Sequence, residues 1–383
     1  MHVLISALSR FCTPTGICRH AANLAAGLLS RNEIERITFV TGSWQQHYFQ
    51  QMIGMDTTGR FQLLPITIPN DSIQRNRWFA RELPRLARLE GADIVHLSFP
   101  VPVLAGKFDC KTVVTLHDLY PYDCPQVFGF PNAHINRLFL RMCLNNSDAI
   151  ACVSETTRDR AQALLPKCTQ GKLSVIPNSL SPTVADAHPP AGWRKGAFIL
   201  SVAQHRANKN LTLAVEGFRA MLDRSVVPEN CRFVLVGCAG PETASIKRRT
   251  AELGLDEKLV LLDSVPDSEL RWLYQNCTLF VITSKVEGFC LPLLEAMAEG
   301  CRIICSDIPI LREIGSSSCH YFSLNEQAAE NFVTAASTAL AGTGTSKHDA
   351  LDRFQASAVS DAYVRLYNDL LGTRHSEPVP SFS

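Results

Sequence analysis

The chain has 383 residues, a length that suits two domains of ordinary size. Apolar residues make up 46% of the sequence, enough for two packed cores, and the formal net charge at pH 7 is only +1. Because this balance gives no global field that would attract nucleic acid, we expect no nucleic-acid partner.

The cysteines and the apolar stretches indicate the cellular compartment in which the protein is expected to function. The 14 cysteines are scattered, with no C-x-x-C pair and no His/Cys cluster of zinc spacing. No cationic segment precedes a long apolar run at the beginning, and no run of 18 or more apolar residues occurs. We therefore expect free thiols in a reducing cytoplasm, with no secretion signal and no membrane-spanning helix.

Short apolar runs alternate with segments of helical periodicity along most of the chain. Continuous runs of Val, Ile and Leu are typical of parallel strands that are buried on both faces. Strands are predicted at 2–8, 36–41, 92–97, 111–117, 148–154, 172–178, 197–203, 231–237, 258–264, 277–283 and 302–307. Helices are predicted between them, for example at 210–223, 241–253 and 292–299. This repeated β-α-β alternation predicts an α/β protein with two doubly wound sheets.

The best candidate for a domain boundary is the proline-rich segment 178–193, which has little periodic pattern. It divides the chain into expected domains at 1–180 and 190–354, and residues 372–383 are expected to be a frayed tail. Residues 1–185 carry 18 Lys and Arg against 13 Asp and Glu, whereas the remainder carries 19 against 23. The first half is therefore the part expected to meet an anionic surface or ligand.

The segment 75–90, RNRWFARELPRLARLE, combines five arginines with aromatic residues and leucines. A basic amphipathic helix of this kind can lie on an anionic membrane. The alternative is an ordinary surface helix that buries its leucines and is disturbed by Pro84. The sequence leaves these two interpretations open.

Two carboxylates flank a predicted helix start in the string SKVEGFCLPLLEAMAEG, residues 284–300. Pro292 fits a first helical turn, so Glu287 is predicted in a loop and Glu295 in the helix. The amides around Cys290 then lie at a helix N-terminus, which favours an anion such as phosphate. Together these groups could hold a nucleotide sugar, although a surface helix capped by an acidic loop would have the same spacing.

Other polar residues follow predicted strands, where open parallel sheets bind ligands. Gly16 precedes a helix and would let the backbone approach a phosphate, or it belongs to an ordinary strand-to-helix turn. His117 follows one strand, and Lys209 follows another at the start of a helix, where a cation is disfavoured unless an anion accompanies it. His96 also ends a strand, but a packing role is expected for it.

The string 284–300 closely resembles the E-x7-E signature of the family 4 retaining glycosyltransferases, which share the GT-B fold. The His117–Asp118 pair and Lys209 also resemble family positions, and the loop at Gly16 resembles the pattern G-G-x-G-R-Y while keeping one glycine and the arginine. The resemblance implies two facing Rossmann-like domains with a cleft between them. It also implies that a C-terminal helix at about 355–371 packs back on the first domain.

The resemblance further implies a role for each matching residue. Glu295 would bind ribose hydroxyls, Glu287 the hydroxyls of the transferred sugar, and Lys209 the diphosphate, with Arg206 as a second cation. His117 would face the sugar from the first domain. The catalytic residues implied are His117, Glu287 and Lys209, and the donor-binding residues are Gly16, Arg206, Lys209, Glu287, Gly288, Phe289, Cys290, Leu291 and Glu295.

The expected activity is transfer of a hexose such as mannose or glucose from a GDP- or UDP-sugar to a saccharide or lipid-linked saccharide, as in bacterial polysaccharide assembly. Because no D-x-D occurs, neither a metal nor another cofactor is expected. The enzyme would work in the cytoplasm, and a peripheral membrane contact through 75–90 is one of the two interpretations left open for that segment. The alternatives are a nucleotide-sugar sensor without turnover, an epimerase or phosphorylase on the same scaffold, and a glycoside hydrolase that uses both glutamates.

Overall fold

A computed structural model describes the protein over residues 1–54, 59–125, 131–180, 186–342 and 349–372. The chain divides into two units. The first contains the described residues up to Leu180 together with those from Arg353 onward, and the second contains the described residues between them. Part of the predicted linker, at 181–185, and the predicted tail beyond 372 lie outside the described residues.

The first unit is built on one parallel sheet. Its strands are β1 (His2–Ser6), β2 (Arg36–Gly42), β3 (Phe61–Ile66), β4 (Ile94–Leu97), β5 (Lys111–Leu116), β6 (Ala149–Cys152) and β7 (Leu173–Val175). Among the described residues their order is β3-β2-β1-β4-β5-β6-β7. The helices are α1 (Gly16–Leu29), α2 (Gln46–Ile53), α3 (Ser72–Glu90), α4 (Tyr120–Asp123), α5 (Asn132–Asn146), α6 (Glu155–Leu164) and α7 (Pro166–Thr169).

The second unit repeats this design with a smaller sheet. Its strands are β8 (Phe198–Val202), β9 (Arg232–Val236), β10 (Leu259–Leu262), β11 (Leu279–Ile282), β12 (Ile303–Ser306) and β13 (His320–Phe322). Over the described part of the chain they form the order β10-β9-β8-β11-β12-β13, again all parallel. The helices are α8 (Leu211–Asp223), α9 (Thr243–Glu252), α10 (Asp267–Asn276), α11 (Leu291–Ala298), α12 (Pro309–Gly315) and α13 (Ala328–Ala341).

The last helix, α14 (Ala356–Leu371), belongs to the first unit although it follows the second in sequence. It packs against α1, and its buried tyrosines Tyr363 and Tyr367 join the apolar cluster that contains Val3 and Ile5 of β1. The intervening residue, Leu4, belongs to a separate cluster, because successive side chains of a strand point to opposite faces. Helices therefore cover both faces of the sheet.

Both doubly wound sheets are confirmed, and each of the predicted strands is present. The sequence analysis missed β3 and β13, which are edge strands of the two sheets. Pro65 lies within β3, and sheets tolerate proline in edge strands. Strand β13 is only three residues long. The three helices predicted in the second domain are confirmed with ends shifted by one or two residues.

The basic segment 75–90 lies in α3, where Pro84 is inside the helix and does not end it. Trp78, Phe79 and Leu83 are buried on the inner face, and this packing outweighs the backbone hydrogen bond lost at the proline. Leu89 is 85% exposed, so the expectation that an ordinary surface helix would bury its leucines is wrong for this residue.

Two expectations about the whole chain can be compared with the structure. Each of the 14 cysteines lies among the described residues and is a free thiol, as predicted. None of the helices in the described ranges combines the length and the hydropathy needed to cross a lipid bilayer.

Candidate functional site

Two loops meet at the carboxyl ends of β8 and β11. These strands are neighbours in the sheet, but the chain leaves them toward opposite edges, which is the position where doubly wound sheets bind ligands. The amide of Lys285 donates to the carbonyl of Asn208 at 2.8 Å, and the Asn208 side chain donates to the carbonyl of Val286 at 3.2 Å. Thr283 donates to the carbonyl of Lys209 at 2.9 Å. These contacts hold the two loops in one arrangement.

A buried ion pair joins the same two loops. The Lys209 Nζ lies 2.5 Å from the Glu287 Oε1, and the two side chains are 19% and 4% exposed. The hydroxyl of Ser284 donates to the same oxygen at 2.6 Å, so two donors converge on Oε1. Within the described ranges the hydrogen bonds of this carboxylate are all to Oε1.

Lys209 carries a positive charge in this setting. Burial is the largest single effect and acts to lower its pKa, but the charge of Glu287, the neighbouring Cys290 and the hydrogen bond to Glu287 together raise the pKa above its ordinary value. An ammonium group has three N–H donors, so Lys209 can hold Glu287 and still donate to a second anion.

Arg206 supplies a second cation beside Lys209. It caps the 3-10 turn Ala207–Lys209. Its charge is close enough to Lys209 to lower the pKa of that lysine slightly, in the same direction as the larger effect of burial and against the effect of Glu287. In the part of the chain that the structure describes, no carboxylate pairs with Arg206. The loop after β8 thus presents two cations against one carboxylate, an excess of positive charge suited to an anionic ligand.

The second glutamate lies on α11, which begins at Leu291 with Pro292 in its first turn, as predicted. The preceding residue, Cys290, has a left-handed backbone conformation with φ of 81°, and no described side chain caps the helix. Glu295 accepts a hydrogen bond at 2.9 Å from the hydroxyl of Tyr274. Burial, followed by the nearby Glu295, raises the pKa of Tyr274 well above its usual value, so this hydroxyl stays protonated as a donor.

The other predicted residues, His117 and Gly16, lie in the first unit. His117 follows β5 and is half-buried, and its Nε2 lies 2.9 Å from the carbonyl oxygen of Ser98. Burial lowers the pKa of His117 to about 4, so the ring is neutral at physiological pH. Since a carbonyl can only accept, the proton sits on Nε2 and Nδ1 is the acceptor. The ring of His20 packs edge-on against His117, with the ring centres 4.8 Å apart. Gly16 is exposed as the first residue of α1.

The structure groups the predicted residues in two places. Lys209, Glu287 and the start of α11 are on adjoining loops of the second unit. In the first unit, His117 follows the end of β5 and Gly16 begins α1. Lys209 and Glu287 also contact each other directly, whereas the resemblance implies a separate ligand group for each of them. His96 is fully buried and bonded to protein groups, in keeping with the packing role expected for it.

Three supporting residues were missed by the sequence analysis. Ser284 stands three positions before Glu287, and this S-x-x-E spacing is a local signal that could have revealed it. Tyr274 and Asn208 have no such signal, because each reaches its partner only through the fold.

Residues 186–349 match the family model "Glycosyl transferases group 1", and residues 14–183 match the model "Glycosyltransferase Family 4". The chain is similar to the O-antigen chain mannosyltransferase RfbU of Salmonella typhimurium, with 26% identity over 225 residues, covering 56% of this chain and 57% of that protein. It is also similar to the serotype-specific mannosyltransferase WbdA of Escherichia coli, with 24% identity over 351 residues, covering 83% of this chain and 40% of that protein.

The chain therefore spans about half the length of the curated relatives it matches. Among solved structures, sucrose-phosphate synthase from Thermosynechococcus elongatus superposes with a TM-score of 0.71 at 16% identity, covering 97% of this chain and all of that one. Anabaena HepE in complex with UDP and glucose superposes with a TM-score of 0.68 at 15% identity, covering 96% of this chain and all of that one. These likenesses concern the fold, and they confirm the expected GT-B architecture of two Rossmann-like domains. With two family models matching its successive halves, the chain belongs to family 4 of the glycosyltransferases.

Proposed function

We propose that this protein is a retaining, metal-independent glycosyltransferase that moves a hexose from a nucleoside diphosphate sugar to a saccharide or lipid-linked saccharide. The observation that carries the proposal is the pairing of Lys209 with Glu287 on loops fixed to each other at the carboxyl ends of β8 and β11. A cation and a carboxylate held side by side suit a ligand with a diphosphate next to a polyhydroxylated ring.

Each group in the site has a task that its chemistry supports. Lys209 and Arg206 neutralise the diphosphate, together with the amides at the start of α11, at 289–291. Glu287 accepts a hydrogen bond from a sugar hydroxyl through Oε2, and Glu295 accepts hydrogen bonds from the ribose hydroxyls. His117, neutral and protonated on Nε2, accepts a hydrogen bond from a sugar hydroxyl at Nδ1 when it faces the sugar.

The transfer step breaks the bond between the anomeric carbon and the diphosphate oxygen and forms a bond from that carbon to the acceptor oxygen. The acceptor attacks from the side of the leaving group, so the anomeric configuration is kept. The acceptor's proton goes to the departing phosphate oxygen, and the cations stabilise the charge that develops on the diphosphate. No carboxylate nucleophile and no metal take part.

The sugar proposed first is mannose, because curated relatives are named as mannosyltransferases. A thermal-shift panel of GDP-mannose, GDP-glucose, UDP-glucose and UDP-galactose identifies both the base and the sugar. A donor at 100 times its Kd adds about 2.7 kcal/mol of stability and raises the melting temperature by several degrees. If no member of the panel raises it, the donor proposal is wrong.

Glu295→Ala should abolish that shift, because it removes the proposed ribose ligand. Glu299→Ala is the matched control: Glu299 follows α11 and pairs with Arg271 instead of facing the loop after β8. The control should keep the shift seen with the unaltered protein. An undiminished shift in Glu295→Ala would place the donor elsewhere.

Turnover tests the reaction class. We expect nucleotide release that requires an acceptor, a product with the donor's anomeric configuration by NMR, and full activity after EDTA treatment. Release without an acceptor would indicate hydrolysis, and tight donor binding without product across many acceptors would indicate a sensor. Inversion at the anomeric carbon would contradict the retaining mechanism.

We also propose that the outer face of α3 contacts an anionic membrane surface. Arg77 and Arg81 lie one turn apart on this face, both are exposed, and within the described ranges neither has an acidic partner. Ile73 and Leu89 are 76% and 85% exposed on the same helix. The buried aromatic residues of α3 take no part, so the contact rests on charge and these two apolar side chains.

Sedimentation with vesicles tests this contact. Binding to phosphatidylserine-containing vesicles should fall sharply when Arg77 and Arg81 are both changed to Glu. Arg248→Glu, on the exposed side of α9 in the other unit, is the control and should bind as before. Equal binding to neutral and anionic vesicles would contradict the proposed membrane contact.

A further inference from the structure

A chain of buried hydrogen bonds leads inward from α14, the last helix. The hydroxyl of Tyr367 lies 2.6 Å from Nδ1 of His96, and Nε2 of His96 lies 2.8 Å from the hydroxyl of Thr115. All three side chains are completely buried. A helix that follows the second unit in sequence is therefore bonded to the middle of the first unit's sheet.

This series of hydrogen bonds ends beside both groups that position the His117 ring. Thr115 precedes His117 by two residues at the end of β5, and His96 precedes Ser98 by two residues at the end of β4. The hydrogen bond between His96 and Thr115 thus joins the ends of β4 and β5. Two residues further on, β5 is followed by His117 and β4 by Ser98, whose carbonyl accepts the hydrogen bond of the His117 ring. The Thr115 hydroxyl also reaches His20, whose Nε2 lies 3.2 Å away and whose ring packs against His117.

The hydroxyl of Tyr367 bonds to Nδ1 and is therefore coupled to the tautomer of His96, since a hydroxyl can donate to that nitrogen or accept from it. A neutral imidazole has one N–H donor and one acceptor. When Tyr367 donates to Nδ1, the proton of His96 stays on Nε2 and points at Thr115. Without that hydroxyl Nδ1 has no donor, and the ring is free to take the other tautomer. In that tautomer the Thr115 hydroxyl would donate to Nε2 instead of accepting from it.

We propose that Tyr367 is a positioning residue, through which α14 sets the orientation of His117 by way of His96 and Thr115. The inference rests on the proposed function, since the orientation of His117 matters to catalysis only if this ring faces the sugar. Tyr363 supplies an internal comparison. It is equally buried on the same helix, but its hydroxyl is 3.3 Å from the Thr115 hydroxyl and touches neither His96 nor His117 within hydrogen-bond distance.

The test compares Tyr367→Phe with Tyr363→Phe in the full chain. Tyr367→Phe should lower kcat roughly tenfold, because small displacements of a reacting group reduce rates steeply. The KM for the donor should change much less than kcat, since Lys209, Arg206, Glu287 and Glu295 are in the other unit. Tyr363→Phe should keep kcat within about twofold, as expected for loss of one weak hydrogen bond. Equal losses in both variants, or an unchanged kcat in Tyr367→Phe, would overturn the inference.

A spectroscopic measurement separates this inference from the proposed function. In protein labelled with 15N-histidine, Tyr367→Phe should change the tautomer signature of His96 and shift the imidazole signals of His117, whereas Tyr363→Phe should leave both in place. This readout needs no turnover. Shifted signals in a chain that transfers no sugar would support the coupling and refute the function, and unshifted His117 signals in an active enzyme would refute the coupling alone.

A second pair of variants guards against misfolding. Thr115→Val removes the hydroxyl that links His96 to His20 with little change in shape, and Thr115→Ser restores a hydroxyl. We expect Thr115→Val to reproduce the loss of kcat seen in Tyr367→Phe, and Thr115→Ser to recover most of it. Full activity in Thr115→Val would contradict the inference.

Discussion

At the scale of single residues, the Lys209–Glu287 pair is the group most sensitive to substitution. Its two charges were removed from water and are balanced mainly by each other and by the Ser284 hydroxyl. Removing one partner of a buried pair leaves the other charge without compensation, whereas removing both charges is often tolerated.

Lys209→Met should therefore lower the free energy of unfolding by about 3 kcal/mol, and adding Glu287→Gln should recover most of this loss. Urea unfolding of the single and double variants measures the difference. The control is Arg224→Met, which breaks an exposed pair with Glu330 and should change stability little. A double variant less stable than Lys209→Met would contradict the account.

Cys290 is a second residue whose backbone makes it sensitive to substitution, because a non-glycine residue with φ of 81° is strained by its Cβ. Glycine relieves this strain and loses only a small buried side chain, so Cys290→Gly should change stability by no more than about 1 kcal/mol. Cys290→Val, with a branched Cβ, should cost at least about 2 kcal/mol.

The order should reverse at Cys152, a fully buried residue in β6 with an extended backbone. There valine suits the strand and glycine weakens it. Thermal unfolding of the four variants gives the comparison. The same ranking at both positions would show that backbone conformation does not govern Cys290.

At the scale of elements, the close packing of α14 against α1 depends on Gly27. A Cβ at Gly27 would overlap the hydroxyl of Ser360 and lie 3.5 Å from the carbonyl of Ala356. Gly27 lets the two helices approach closely enough for Tyr363 and Tyr367 to reach the interior.

Gly27→Ala should thus destabilise the protein by about 1–3 kcal/mol, the range typical of overpacking. Combining it with Ser360→Ala, which removes the overlapping hydroxyl, should recover most of the loss. Denaturant midpoints of the single and double variants measure both effects. If the double variant is no better than Gly27→Ala, the helix contact is not the cause.

At the scale of the whole molecule, stability depends on histidines that the fold keeps neutral. Burial lowers the pKa of His117 to about 4 and of His96 to about 3, and burial, with smaller effects of these two neighbours, also lowers the pKa of His20. In the unfolded chain each has a pKa of about 6.5. Between about pH 6.5 and 4 the unfolded state therefore binds protons that the folded state does not, so stability falls as pH falls.

Each of these histidines contributes up to about 1.4 kcal/mol per pH unit in that window. Unfolding measured from pH 7 to pH 4 should show the decline, and His96→Gln should reduce its slope. His47→Gln, which alters an exposed ring, should leave the slope as it is. An unchanged slope in His96→Gln would contradict the assignment.

Local pattern alone determined the two sheets, the helix start at Pro292 and the placing of Glu287, Glu295 and Lys209 at strand or helix ends. These features follow from apolar runs, proline geometry and the rule that parallel strands end at one edge. Contiguous residues carry all of that information, and this is why it could be predicted.

Only the tertiary structure decided how these groups are held. Lys209 and Glu287 meet because β8 and β11 are neighbours, although 78 positions separate the two residues. Tyr367 reaches His96 across 271 positions because α14 returns to the first unit. Contacts of this kind depend on strand order and on helix packing, and no periodicity or spacing in the chain records either of them.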